Sequence, residues 1–208
     1  VAAARKEASG ITYAIAVWES IRGLAVSALD DTATPATVLP NIPDLQGLGS
    51  SNDTAFGIGE KAKAFTSVLA SYDWPRSHVP FDARLTQSVN AGLDLMAAIS
   101  NGSGIAVDTE VDHNYLGQAL TSRIPRVLWY RVAITGKIRE MSRSSSVSVA
   151  DLSLLKSQIA LFKDASDGAT AALQVAKSYS ADGRVEALSG QIDAFEDQRL
   201  RRRRTVAE

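Results

Sequence analysis

At 208 residues, with 45% hydrophobic content and a formal charge of −1, the chain has the size and composition of an ordinary globular domain able to bury a sizeable core. Five arginines, Arg199 and Arg201 to Arg204, fall in the last ten residues, so the remainder carries −6 and offers no basic face for nucleic acid. The lack of cysteine excludes disulfides and thiol catalysis, and no apolar run is long enough to cross a bilayer.

The first residues already read as helix. Ala4, Ala8, Ile11, Ile15, Trp18, Arg22, Ala25 and Leu29 alternate steps of three and four, which predicts an amphipathic helix with an arginine in its seam. Residues 30 to 54 hold three prolines and a Gly-Leu-Gly-Ser-Ser-Asn-Asp run, and this composition predicts a long loop. Ala62, Phe65, Leu69 and Tyr72 then predict a short helix, Tyr72 to Pro80 a tight corner, and Leu85, Val89, Gly92, Met96 and Ile99 another helix. Gly102 and Gly104 break that pattern, Asp108 shapes the turn, and Asp112 opens a run of about thirty residues with Leu116, Leu120, Ile124, Val127, Arg131, Ile134, Ile138 and Met141 at helical spacing. Pro125 lies inside this run, where a missing N–H and a ring clash predict a kink or a local rearrangement. A serine-rich joint at 142 to 148 leads to a heptad seam of Leu152, Leu155, Ile159, Phe162, Ser166, Ala169, Leu173 and Ala176. Val185, Leu188, Ile192, Phe195 and Arg199 form a last helical pattern.

About six helical segments and no alternating strand pattern predict an all-α fold, an elongated antiparallel helical bundle of the four-helix-bundle kind. The chain starts and ends within helical patterns, at Val1 and after Phe195, so it reads as one domain, residues 1 to 208, excised from a longer protein.

No catalytic constellation emerges. His78 and His113 stand in separate segments, no Gly-x-Ser-x-Gly is present, and Gly57-Ile-Gly-Glu-Lys61 lacks the spacing of a phosphate loop. Neither a metal site nor a cofactor is expected. Arg22 and Arg131 occupy seams that are otherwise apolar, and a buried guanidinium requires a carboxylate, a bound anion or an escape to solvent. Either the true stripe is rotated by one position and the arginines snorkel at its edge, or they face a cavity and bind a small carboxylate, with Arg123 beside the proline as a third candidate. Asp112 and Asp108 either satisfy free amides at a helix start or, with Tyr115, accept hydrogen bonds from a ligand amine or hold a hard cation. The arginine run at 201 to 204 reads as a solvated tail or a flank at a membrane surface.

Two patches carry a resemblance. Gly104, Asp108, Asp112, Tyr115, Leu116, Arg123 and Pro125 match the pattern Gly-Leu-x-x-Asp-Pro-x-x-Asp-x-Tyr-Tyr-Leu followed by Arg-Leu-Pro, with departures at Thr109, His113-Asn114 and Ile124. Glu7-Ala-Ser-Gly10 resembles a Glu-x-x-Gly element, and Ile21-Arg-Gly23 a His-Arg-Gly element that has lost its histidine. In these features the chain resembles the extracytoplasmic all-helical sensor domains of bacterial transmembrane receptors: sensor histidine kinases, methyl-accepting chemotaxis proteins and diguanylate cyclases. The resemblance implies a periplasmic, non-enzymatic domain held between two transmembrane helices and dimeric in its receptor. Such a domain would bind a small-molecule signal, such as an organic anion, and pass a helix shift to a cytoplasmic module, a histidine kinase before a chemoreceptor. A structural or interaction bundle without a small ligand is the alternative.

Overall fold

A computed structural model describes residues 2–29, 42–71, 81–107 and 110–180. Within them the regular elements are helical: α1 (Ala2–Ser27), α2 (Ile42–Phe56), α3 (Gly59–Ser71), α4 (Ala83–Ser103), a 3-10 turn (Ile105–Val107), α5 (Val111–Gln118), a π turn (Ala119–Arg123), α6 (Ile124–Arg143) and α7 (Val149–Tyr179). The all-α bundle expected from the sequence is the fold observed. Asp108, His78, the pattern at 185 to 199 and the arginine run at 201 to 204 lie outside the described residues.

The main core is built where α1 and α4 lie antiparallel. Tyr13, Val17, Ile21 and Leu24 of α1 meet Leu85, Val89, Met96 and Ile99 of α4, and Phe65 and Leu69 of α3 close the third side. Each of these large side chains contributes about 1.5–3 kcal/mol of burial. Glycine allows the tight approach: a Cβ at Gly92 would stand 2.8 Å from Ile21 and 2.9 Å from Phe65. Asp82 caps α4 by accepting the Leu85 amide at 2.8 Å, and Gly104 ends it in the left-handed region at φ 99°. Ala62, Phe65 and Leu69 of the seam expected for α3, and the seam expected for α4, are the buried ones, while Tyr72 and the corner expected at 72 to 80 lie outside the described residues.

The seam expected for α1 is corrected. Ile11 and Ile15 are half exposed, while Tyr13, Val17, Ser20, Ile21 and Leu24 are buried, so the core stripe is rotated towards the next position. Arg22 consequently points outward and pairs with Glu19 at 2.6 Å. α1 carries two apolar faces, and a count of three-and-four steps picks one without showing which meets α4.

The loop expected at 30 to 54 is also corrected over its second half, where α2 forms. Ser50, Ser51 and Asn52 turn their side chains back onto the carbonyls of Gly47 and Leu48 at 2.8–3.3 Å, and so remain compatible with a helix. Leu45 and Phe56 are buried, and the Tyr13 hydroxyl donates to Asp53 at 3.2 Å, tying α2 to α1. Burial, reinforced by the Asp53 charge, pushes the Tyr13 hydroxyl well above the usual tyrosine range.

A second layer is formed by α7, which runs antiparallel to the α5–α6 rod. Ala119 meets Ala172 and Leu173, and Val127 meets Ala165 and Ala169. The heptad seam expected on α7 holds for its second half only. Leu152 and Ile159 are 45% and 43% exposed, because the first half of α7 meets α6 through a narrower line near Leu155 and Phe162. At the joint between these helices the chain is clamped. Lys137, only 7% exposed, donates to Asp151 at 2.7 Å and to Glu140 at 3.1 Å. The other Asp151 oxygen accepts from the Ser148 amide and hydroxyl at 3.0 and 2.6 Å, completing a capping box.

The Lys137 ammonium first, then the Ser148 donors, hold the Asp151 carboxyl far below the usual carboxylate range, while Asp151 raises the Lys137 ammonium. A depressed acid stabilises the fold above its unfolded pKa and stops doing so as pH falls; a raised base stabilises below its unfolded pKa and stops as pH rises. The stability gap between wild type and Asp151→Asn is therefore expected to stay flat from about pH 5 to 9 and to close below about pH 4 in urea titrations. Glycine substitutions are expected to have opposite signs at two sites. Gly92→Ala should destabilise by about 1–3 kcal/mol, whereas Gly47→Ala, on a helix with open space around it, should stabilise by about 0.5–1 kcal/mol in the same assay.

Candidate functional site

The sequence of α1 leaves Ile11 and Ile15 half exposed beside a partly buried Trp18, and the rod formed by α5, the π turn and α6 runs alongside that face. At one end the two are drawn together by small residues. Gly10 sits directly against Ser103 and Ile105, and a Cβ at Gly117 would stand 2.5 Å from Ile105. Asn114 donates to the Ala106 carbonyl at 2.5 Å and accepts from Gln118 at 2.7 Å, which pins the 3-10 turn to α5. Further along, the rod departs from α-helical geometry. The Ile124 amide reaches back five residues to the Ala119 carbonyl, and Pro125 follows with no N–H to donate. This is the local rearrangement expected at Pro125.

The π turn inserts one residue, and so changes which faces are buried downstream. Gly117, Thr121, Pro125, Trp129 and Ala133 recur every four residues as an inward line, while of the expected seam of Leu116, Leu120, Ile124, Val127 and Arg131 only Val127 is fully buried. Leu120, 54% exposed, and the half-buried Ile124 thereby turn towards α1.

A groove of about 590 Å³ lies between these elements. Glu7, Ile11, Ala14, Ile15 and Trp18 line it from α1, with Met96 and Ile105 at its base; His113, Leu116, Gly117, Leu120, Thr121, Ile124, Pro125 and Leu128 form the other wall. Its polar groups are few. Glu7 lies beside Gly104, and His113 is on the first turns of α5 with its Nδ1 3.1 Å from a Glu110 oxygen. Glu110, Asp112 and His113 place one ligand atom each within 4.8 Å of one another. Three donors from one helix turn would need further ligands to hold a cation.

The sequence-predicted residues divide sharply. Pro125 lines the groove, and Gly104 closes the helix that leads to it. Arg22, Arg123 and Arg131 are exposed and none lines the groove, the arrangement expected if the arginines stand at the edge of their stripes and not in a cavity. Arg22 is held by Glu19, and Arg123 lies across α7, where a Cβ at Gly168 would stand 3.1 Å from its Nη1. Asp112 is half buried in the first turn of α5, and Tyr115 is 36% exposed on the same helix; neither lines the groove. The N-cap position of α5 belongs to Glu110 and not to Asp112. Sequence reasoning did not single out Ile11, Ile15 and Trp18 as site residues, although an apolar face wider than one neighbouring helix can cover was the available signal.

Of the residues that carry the resemblance, Glu7, Leu116 and Pro125 line this groove, whereas Ile21 is buried in the main core and Arg22 points outward. Compared with known proteins, the chain matches no family model, no curated protein and no solved structure.

The Asn114 bridge fixes the base of the groove through Ala106. Asn114→Ala, which leaves that carbonyl without its donor, is expected to lower stability by about 1–2 kcal/mol in denaturant titrations and to speed amide exchange across 105 to 118.

Proposed function

We propose that the chain is the ligand-sensing, extracytoplasmic domain of a transmembrane signalling receptor, with a sensor histidine kinase as the leading parent and a chemoreceptor as the alternative. The observation that carries this reading is the apolar groove of about 590 Å³, within the size range of small-molecule sites, which Glu7 of one resemblance patch and Leu116 and Pro125 of the other help to line. Its walls belong to two different helical rods, α1 and α5–α6, which both rest on Ile105 at one end and are joined by Arg139 and the Leu29 carbonyl at the other. A molecule wedged between them therefore contacts both and favours one separation over another, which is the differential affinity a sensor requires. Among the described residues no helix is long and apolar enough to cross a membrane, so in this reading the membrane helices are other parts of the receptor.

A second reading, an interaction bundle that docks another protein or a second copy of itself, is favoured by the first half of α7. Val149 is 81% exposed, and Leu152, Leu154, Ile159 and Leu161 are each 43–48% exposed on two flanks of one helix.

A thermal-shift screen against small metabolites separates the two. The sensor reading expects a compound that stabilises wild type by about 2–3 kcal/mol at a hundredfold excess over its Kd, with the shift abolished in Ile15→Trp, which fills the groove from a half-exposed position. A chain that no compound shifts, and that sediments as a dimer, would favour the interaction bundle.

A further inference from the structure

The placement of charge in the groove specifies the chemistry of its ligand. Resting on the reading of the groove as a binding site, we propose that its occupant is a small amphiphilic cation, an apolar aromatic or aliphatic body carrying one amine or amidine head. The body would lie along Ile11, Ile15 and Trp18 opposite Leu120 and Leu128. The head would sit at the end where Glu7 and His113 face the groove.

Three observations carry the assignment. First, no lysine or arginine lines the groove among the described residues, and Glu7 brings the one carboxylate to its lining. An anion would enter a cleft with no countercharge, whereas a cation finds one. Second, Glu7 is half buried, and among the described residues its carboxylate has no hydrogen-bond or ion-pair partner. A carboxylate at the edge of an apolar cleft that lacks an internal cation gains most from a ligand that brings one. Third, the imidazole beside it is backed by another acid, since His113 Nδ1 lies 3.1 Å from Glu110, and Asp112 is in the same cluster. The end of the groove near Gly104 is thus acidic in depth, and the remainder is apolar from Ile11 to Leu128.

The helix directions make the two ends distinct. α1 and the α5–α6 rod run the same way, with Gly10 and Gly117 both set against Ile105 and Arg139 donating to the Leu29 carbonyl at the far end. Glu7 to Trp18 spans eleven residues of helix, about 16 Å, so a ligand with its head at Glu7 has room for a body of that order before it reaches the end of the lining. Trp18 supplies an aromatic surface at the apolar end and a reporter of occupancy.

Three compounds of one shape test the assignment: phenylbutylamine, phenylbutanoate and phenylbutanol, titrated into wild type, Glu7→Gln and Trp18→Phe while tryptophan fluorescence and calorimetry are followed. The amine is expected to bind at least about tenfold more tightly than the carboxylate, and Glu7→Gln to reduce that preference to less than about threefold. Trp18→Phe should remove the fluorescence change without abolishing the heat. Equal binding of all three compounds, or a preference that survives Glu7→Gln, overturns the cationic assignment and leaves the groove as a ligand site. If none of the three produces heat with wild type, the assignment is overturned together with the reading it rests on.

Discussion

The packing of α1 against α4 is the constraint on which the remaining architecture depends. Gly92 lets Ile21 and Phe65 close to van der Waals contact, and Gly10 brings the start of α1 onto the end of α4, so the two helices are fixed at both ends. Once that interface has taken Tyr13, Val17, Ile21 and Leu24, Ile11 and Ile15 on the other side of α1 are left half exposed. The groove is the direct result of this allocation. It is not a defect in packing but the place where the second face of α1 looks across at a rod positioned by different contacts.

That rod is positioned by α7 as much as by α4. Small residues do most of this: Ala119, Ala165, Ala169 and Ala172 interlock over a short distance, which draws α5–α6 towards α7 and away from α1. Trp129, stacked on Phe81 with ring centroids 5.8 Å apart, anchors the other side of α6 in the main core. The α5–α6 rod is therefore held from two directions, and the line along which it is held least is the one that faces Ile11, Ile15 and Trp18.

Much of this was legible from residue spacing alone, for identifiable reasons. α3 and α4 each have a single apolar stripe, and Ala62, Phe65, Leu69, Leu85, Val89, Met96 and Ile99 proved to be the buried residues. α2 was not legible because its serines and asparagine form local bonds to the helix backbone that composition does not display. In α1 periodicity offered two stripes, and only the identity of the neighbouring helix selects between them. Beyond Val127, which is buried as its spacing predicts, the pattern fails: Arg131, counted into a seam, stands on the surface while Trp129 and Ala133 are buried. The glycine- and proline-bearing stretch that drew attention in the sequence does form one wall of the site. Its partner wall was hidden because its residues looked like ordinary core.

The surplus residue of the π turn has a mechanical meaning of its own. Such a defect can travel along a helix: if the wide turn at Ala119–Arg123 reformed one turn further on, the residues between the old and new positions would rotate by about 100°. Both ends of the rod would keep their places, α5 against the 3-10 turn and α6 against the clamp at Lys137. The middle of the rod would act as a spindle between fixed bearings, exchanging the side chains presented to α1 with those presented to α7. Motion of that kind carries information as torsion, without requiring any helix to slide past another.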